Sequence, residues 1–355
     1  ETHTHTVGLA GLRRALALGI TGALVIDTGD GSPPELEKLS AESASPVPRV
    51  YLVAGRFSAE FPGRFLPNAP RFAAPTSVAE AQTAIDELAK SGVQRIKIWQ
   101  DDGVVWAGSE QRMRTLAPEV VRALVSATRT RAMKVYVHAW QLQYYRQALE
   151  LSPDAIIHPV MDARLDTRDL DALKSKQLPW MTTLAQLYYF GDRQGYSRRL
   201  AADPRLTAGL PAATVAGLER EAATTAFPDL AALVPEVIRN FAENLATIRE
   251  NTRRASAAGV VLSVASDRPV GYGTHLEMQL IAEAGLAPLA VLKAATAGGA
   301  AALGVSGELG SITPGRIADL VLLGSDPLKD TRNLRDVRFV MKGGQLWSTD
   351  ELRRQ

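Results

Sequence analysis

Four of the five histidines in this chain stand in short β-type runs. His3 and His5 form a His-x-His pair inside Thr2–Thr6 (THTHT). His138 falls near the end of Lys134–Ala139 (KVYVHA), and His158 lies in Ala155–Val160 (AIIHPV). Lys97 sits within Arg95–Gln100 (RIKIWQ), and Asp267 ends Gly259–Asp267 (GVVLSVASD). Imidazoles and carboxylates are ligands for divalent cations. Side chains of a strand alternate with period two, so both imidazoles of His-x-His point to one side and can grip one ion. Lys97, between Ile96 and Ile98, has a buried-strand context where an unpaired ammonium is expensive. A lysine in a histidine-lined mouth can react with carbon dioxide to give a carbamate. That group is an anion with two oxygens able to bridge two metal ions. Asp267 offers one more carboxylate, able to bind a metal and to take a proton from water. Residues at successive strand ends are what a parallel α/β barrel gathers into one site.

The elements that must position these residues alternate between strand and helix for most of the chain, which predicts a parallel sheet. Helix Leu9–Leu18 precedes a strand around Ala23–Asp27, and Arg49–Ala54 is the next strand. Helix Val78–Ser91 leads to Lys97, helix Pro118–Arg131 to His138 and helix Gln141–Leu151 to His158. Helix Arg168–Lys176 precedes a strand Trp180–Leu184, and a mainly helical insertion fills Asp192–Ala258. With Thr2–Thr6 as the first strand, the strand holding Asp267 is the eighth. Leu276–Ala284 and Pro288–Leu303 read as closing helices. The tail changes character: Asp319–Leu323 and Arg338–Met341, followed by Gly343-Gly344, read as short strands and a turn. The expectation is a parallel α/β barrel over residues 1–304, with residues 305–355 a small β-rich appendage.

Composition narrows the function classes. The 355 residues are enough for a barrel and a small appendage. Net charge is +2 with acids and bases mixed, so no basic stripe points to nucleic acid. No apolar run is long enough to span a bilayer. Cysteine is absent, which excludes disulfides, Cys-ligated zinc and thiol nucleophiles. The expected partner is a small-molecule substrate. Homo-oligomerisation stays open, as does the compartment: cytoplasmic, or periplasmic or secreted if a signal peptide precedes Glu1.

The chain resembles the amidohydrolase superfamily of metal-dependent hydrolases, in the branch of imidazolonepropionase-like enzymes and Xaa-Pro dipeptidases. The resemblance rests on THTHT (Thr2–Thr6), IKIWQDDG (Ile96–Gly103), VYVHA (Val135–Ala139), IIHPV (Ile156–Val160) and GVVLSVASD. To these it adds EAGLAPLAVLKAATAGGAAALG (Glu283–Gly304) and GSITPGRIADLVLL (Gly310–Leu323), and it covers nearly the whole chain. It implies a metal-dependent (β/α)8 barrel over residues 1–304, part of a small β-sandwich over residues 305–355, and a binuclear centre: His3, His5 and Asp267 on one divalent ion, His138 and His158 on the other, and carbamylated Lys97 between them. Zinc is the expected metal. In such relatives a further segment precedes the His-x-His strand and forms much of the β-sandwich. The reading therefore expects that segment to have been cleaved, to be disordered or to come from another chain. Arg268-Pro269 follows Asp267 where small residues are commoner.

The chemistry implied is attack of a metal-bound hydroxide on an amide, with Asp267 passing the proton to the leaving nitrogen. Expected substrates are N-acyl amino acids, dipeptides or cyclic amides with an apolar group. By strand parity Trp99 shares a side with Lys97, and Trp140 with His138. With Tyr144 and Arg268 these are the candidate substrate contacts, and Tyr188 and Tyr189 follow the seventh strand. His275 begins a helical pattern, where capping or a surface role competes with substrate contact. The alternatives are a deaminase of a cyclic nitrogen compound and a non-catalytic barrel scaffold. Deaminases of the superfamily tend to carry a glutamate shortly after the third histidine and to lack the bridging lysine. Here Ala139-Trp140-Gln141 follows His138, Lys97 is present and no ligand is lost.

Overall fold

Strands of this chain come in chain order as β1 (Gly22–Val25), β2 (Arg49–Leu52), β3 (Gly55–Phe57), β4 (Arg95–Trp99), β5 (Lys134–His138) and β6 (Ala155–Ile157). They continue with β7 (Trp180–Met181), β8 (Leu262–Ser263), β9 (Leu320–Leu323), β10 (Val337–Lys342) and β11 (Gln345–Ser348). The computed structural model describes residues 1–4, 8–26, 33–60 and 73–354. His5, Thr6 and Asp27 lie outside the described residues. The chain divides into two compact units. One holds residues 52–181 and 229–261, the other residues 1–51, 182–228 and 262–355.

In the first unit β3 to β7 form a parallel sheet in sequence order, an α/β arrangement. Parallel strands covered on both faces read as continuous apolar runs. RIKIW and KVYVH are buried at every position but the first, and AII throughout. The register is set by close packing. A β-carbon added at Gly55, the partner of Ile96, would come within 2.7 Å of the Ile96 and Leu88 side chains. Trp99 and His138 are level across β4 and β5, as are His138 and Ile157 across β5 and β6. The intervening helices are signalled locally. Ser77 caps Val78–Lys90 by accepting from the Glu80 amide, and Asp166 with Asp169 forms a capping box at Thr167–Ser175.

The second unit contains β1, β8 and an antiparallel three-stranded sheet in the order β11-β10-β9. Gly343 and Gly344, both with positive φ, make the two-residue turn between β10 and β11, the geometry a tight hairpin asks for. The β10–β11 sheet packs Val337, Val340 and Trp347 on Leu16, Ala17 and Leu352. Lys342, on β10, is fully buried and donates to the carbonyls of Ser40, Ser45 and Val47 at 2.8–2.9 Å. Burial lowers its pKa to about 8.

Three predicted elements differ. The strand expected at Trp180–Leu184 ends at Met181, and Leu184 begins helix Leu184–Gly191. The buried Glu277 carboxylate accepts the Ala185 amide at 2.7 Å, meeting a first-turn donor that the sequence does not reveal. The single helix expected over Pro288–Leu303 is two, Pro288–Ala295 and Ala297–Leu303, broken at Thr296. The break lets Gly298 sit against the Leu262 carbonyl, where a β-carbon would collide with backbone. Of the strand expected at Thr2–Thr6, the described part makes a single parallel bridge, Thr4 to Val25.

Candidate metal centre

In the unit that holds β8, residues Glu1–Thr4 run extended and bond on both sides. The Thr4 amide donates to Leu24 and the Ile26 amide to Thr4, while the Thr2 amide donates to Val264 and the Asp267 amide to His3. This pairing sets His3 beside Asp267, with Nε2 and Oδ1 3.6 Å apart. Two ligand atoms each ~2.1 Å from a tetrahedral ion are separated by roughly 3.4 Å, so the spacing fits a shared divalent cation. Both side chains are buried. Asp267 also has φ of 51°, a left-handed conformation that is uncommon away from glycine. The turn is held by Ser266 Oγ, which accepts from the Arg268 amide, and by Thr4 Oγ1, which donates to the Arg268 carbonyl at 2.8 Å.

Glu1 is a residue that reasoning from ligand types overlooked. Its buried carboxylate accepts from the amides of His3 and Ser266 and from the hydroxyls of Ser266 and Thr274, at 2.6–3.1 Å. One carboxylate thus ties the His3 segment to the residue preceding Asp267. Burial raises its pKa, and the hydrogen bonds from the Thr274 hydroxyl and the Ser266 and His3 amides oppose that rise. The only signal in the sequence is an acidic residue two positions ahead of His3, on the same strand parity.

In the unit that holds β3 to β7, Lys97, His138 and His158 are all buried. His138 stacks on Trp99, with ring centroids 3.7 Å apart and an angle of 19°. His158 stacks on Trp140 at 4.3 Å and 14°. The two imidazoles meet edge to face at 4.3 Å, so two indoles hold them nearly perpendicular. Lys97 Nζ lies 5.5 Å from the Trp99 ring, on the side that strand parity predicts. His158 has φ of 79°. Its amide donates to Met181 at 3.1 Å and its carbonyl accepts from Trp180 Nε1 at 2.7 Å, so β7 holds the strained backbone from both ends.

Two acids follow β4. Asp101 accepts from the amides of Gly103 and Trp140 and lies 3.9 Å from His138 Nε2. Burial pushes its pKa up to about 7. Asp102 accepts from the Val104 amide and the Tyr144 hydroxyl, and pairs with Arg112. Tyr144 is thereby turned towards an acid of its own unit, and burial raises its pKa to about 12. Trp140 is fully buried and Trp99 nearly so. Arg268 lines a cavity with Asp267. His275 has neither a capping nor a surface role: it is buried, its Nε2 bonds the Leu18 carbonyl at 2.8 Å, and burial lowers its pKa to about 4.

Residues 4–347 match the amidohydrolase family, and the chain belongs to it. Members of this family generally use divalent metals, which the buried imidazoles and carboxylate suit. No curated protein matches this sequence. Among solved structures, a Xaa-Pro dipeptidase with methionine bound in its active site superposes with a TM-score of 0.71 at 18% identity, over 98% of this chain and 85% of that one. A putative prolidase from Bifidobacterium longum gives 0.69 at 22%, over 99% and 83%. Molinate hydrolase gives 0.69 at 22%, over 98% and 76%. Such likeness shows the fold, the α/β architecture of the TIM barrel, and the protein is a hydrolase of this family. No helix among the described residues is long and apolar enough to cross a membrane.

Proposed function

We propose that the protein hydrolyses the C–N bond of an amide at a binuclear centre of two divalent ions, zinc in the native enzyme. The observation that carries the reading is the buried pair of His3 and Asp267, spaced for one cation, with Asp267 in the wall of a cavity. Membership of the amidohydrolase family supports it. In this reading His3, His5 and Asp267 would hold one ion, His138 and His158 would hold the other, and Lys97, as a carbamate, would serve both. Residues 1–304 would form the (β/α)8 barrel and residues 305–355 part of a small β-sandwich.

When bound, the ions supply a water acidified towards neutral pH and a Lewis acid for the scissile carbonyl. The chain's own residues do the rest. Asp267 accepts the proton of the attacking water and returns it to the leaving nitrogen. Glu1 fixes the His3 segment against the turn that carries Asp267, and the two indoles hold the His138 and His158 rings at fixed angles, as second partners of metal-binding histidines do. As the neutral amine, Lys97 would add to carbon dioxide and release one proton to solvent, leaving a carbamate anion that the two cations would share. The proposed substrates are N-acyl amino acids, dipeptides or cyclic amides with an apolar group.

The test is a screen of N-acyl amino acids, Xaa-Pro dipeptides and cyclic amides on protein loaded with zinc and bicarbonate, read as amine release. Turnover of an amide that is abolished by chelation supports the reading. Ammonia release from nucleobases without amide cleavage would replace it by deamination.

A further inference from the structure

Next to Asp267 is a cavity of about 460 Å³ whose wall includes Tyr189, Tyr196, Tyr272, Arg193 and Arg268. Two guanidinium groups flank Tyr189, with Arg193 Cζ 3.5 Å and Arg268 Cζ 3.9 Å from the ring centre. Their charges are handled differently. Arg193 makes a two-pronged pair with Glu221, Nε to Oε2 at 2.7 Å and Nη2 to Oε1 at 2.8 Å. Glu221 is further occupied by Ser197 Oγ at 2.5 Å. Arg268 pairs with no carboxylate among the described residues. Its side chain meets the rings of Tyr189 and Phe190, and its buried Nε has no hydrogen-bond partner among the described residues.

A half-buried guanidinium carries five donors in a planar fork that matches a carboxylate. Stacking on tyrosine offsets part of its desolvation and leaves the fork unfilled. The other acid in the cavity wall is Asp267, which the proposed reaction uses for metal and proton. The cavity therefore keeps one cation in excess, pinned by backbone bonds to the residue immediately after the proton acceptor.

We propose that Arg268 selects the substrate by binding its carboxylate, with the apolar part of the same group lying against the tyrosines. The inference rests on the proposed amide hydrolysis and narrows it. Asp267 and Arg268 line the same cavity, so one substrate can place its carboxylate on Arg268 and its scissile bond beside Asp267. The substrate class is an amide whose carboxylate stands on the carbon bearing the scissile nitrogen, an N-acyl α-amino acid or dipeptide, and uncharged cyclic amides are disfavoured.

The test reads binding without turnover. Calorimetric titration of the zinc-loaded full chain compares 3-phenylpropanoate with the neutral methyl ketone of the same length, 4-phenylbutan-2-one. The acid should bind at least ~10-fold more tightly, the scale of one charge-assisted hydrogen bond. Arg268→Gln should bring the ratio close to one, and Arg268→Lys, which keeps the charge and loses the fork, should retain part of it. Far-ultraviolet circular dichroism confirms that both variants fold. A ratio near one in the wild type, or an unchanged ratio in Arg268→Gln, would overturn the proposal and leave Arg268 a packing residue. Failure to hydrolyse any amide would instead overturn the proposed function and leave this selectivity standing.

Discussion

Replacing Trp140 separates a residue that positions a ligand from one that fills the core. The indole is fully buried, stacked on His158 at 4.3 Å and set edge-on against Trp106 at 5.1 Å. Truncating a buried tryptophan to alanine costs ~3–5 kcal/mol through lost burial and a residual cavity. Each ring pair accounts for ~0.5–1.5 kcal/mol of that. For a chain of this length the unfolding entropy converts the loss to a fall in Tm of about 4–7 °C. Trp140→Phe keeps a ring against His158 and should lose less than half as much. The positioning role makes a second demand. Freed from its stack, the His158 ring loses its fixed orientation, and metal affinity should drop by ~10–100-fold, as for other lost supports of metal ligands. Differential scanning fluorimetry reads the first effect, and titration of the zinc-loaded protein with a competing chelator reads the second. A Trp140→Ala variant with the expected Tm and wild-type zinc affinity would refute the positioning argument.

Lys97→Ala should lower the metal content of protein prepared with excess zinc and bicarbonate from about two ions per chain to one or fewer, read by elemental analysis. A variant retaining both ions would remove the bridge. Asp267→Asn keeps size and loses basicity, so kcat should fall by ~10²–10⁴-fold with the metal retained. Thr274→Val strips one donor from the buried Glu1 carboxylate and should cost ~1.5–3 kcal/mol in urea unfolding; an unchanged midpoint would deny Glu1 its role as a tie. His275 is held neutral by burial, with a pKa of about 4 against 6.5. The unfolded state binds the extra proton between those values, so this group's stabilisation is full above pH 6.5 and lost as pH falls towards 4, on the order of 3 kcal/mol. The difference in stability between wild type and His275→Gln should shift in that direction over that window, and a pH-independent difference would contradict the assignment.

Ligand types and their strand runs were legible because they depend on local chemistry. The apolar runs in RIKIW and KVYVH mark buried strands whatever surrounds them, and Trp99 comes level with His138 in the register those strands adopt side by side. The Gly343-Gly344 turn was equally readable, since two glycines supply the positive φ that two-residue hairpin loops require. The break at Thr296 was not, because it answers to the Leu262 carbonyl, more than thirty residues away in sequence. His5 lies where the structure describes nothing, so its part rests on the His-x-His spacing alone.

The sequence by itself determined which groups could bind a metal or move a proton: imidazoles, a lysine among isoleucines and an aspartate after a strand. Only the tertiary structure decided how they are held. The left-handed backbone at His158 depends on bonds to β7, and that at Asp267 on the Thr4 and Ser266 side chains. The partner of each imidazole face is an indole from another strand or loop. Arg193 and Arg268 read alike as residues, yet Glu221 neutralises the first and leaves the second charged beside Asp267. The physical reason is common to all of these. Charge pairing, ring stacking and strained backbone are set by neighbours brought close in space, whereas period and residue type are set by neighbours along the chain.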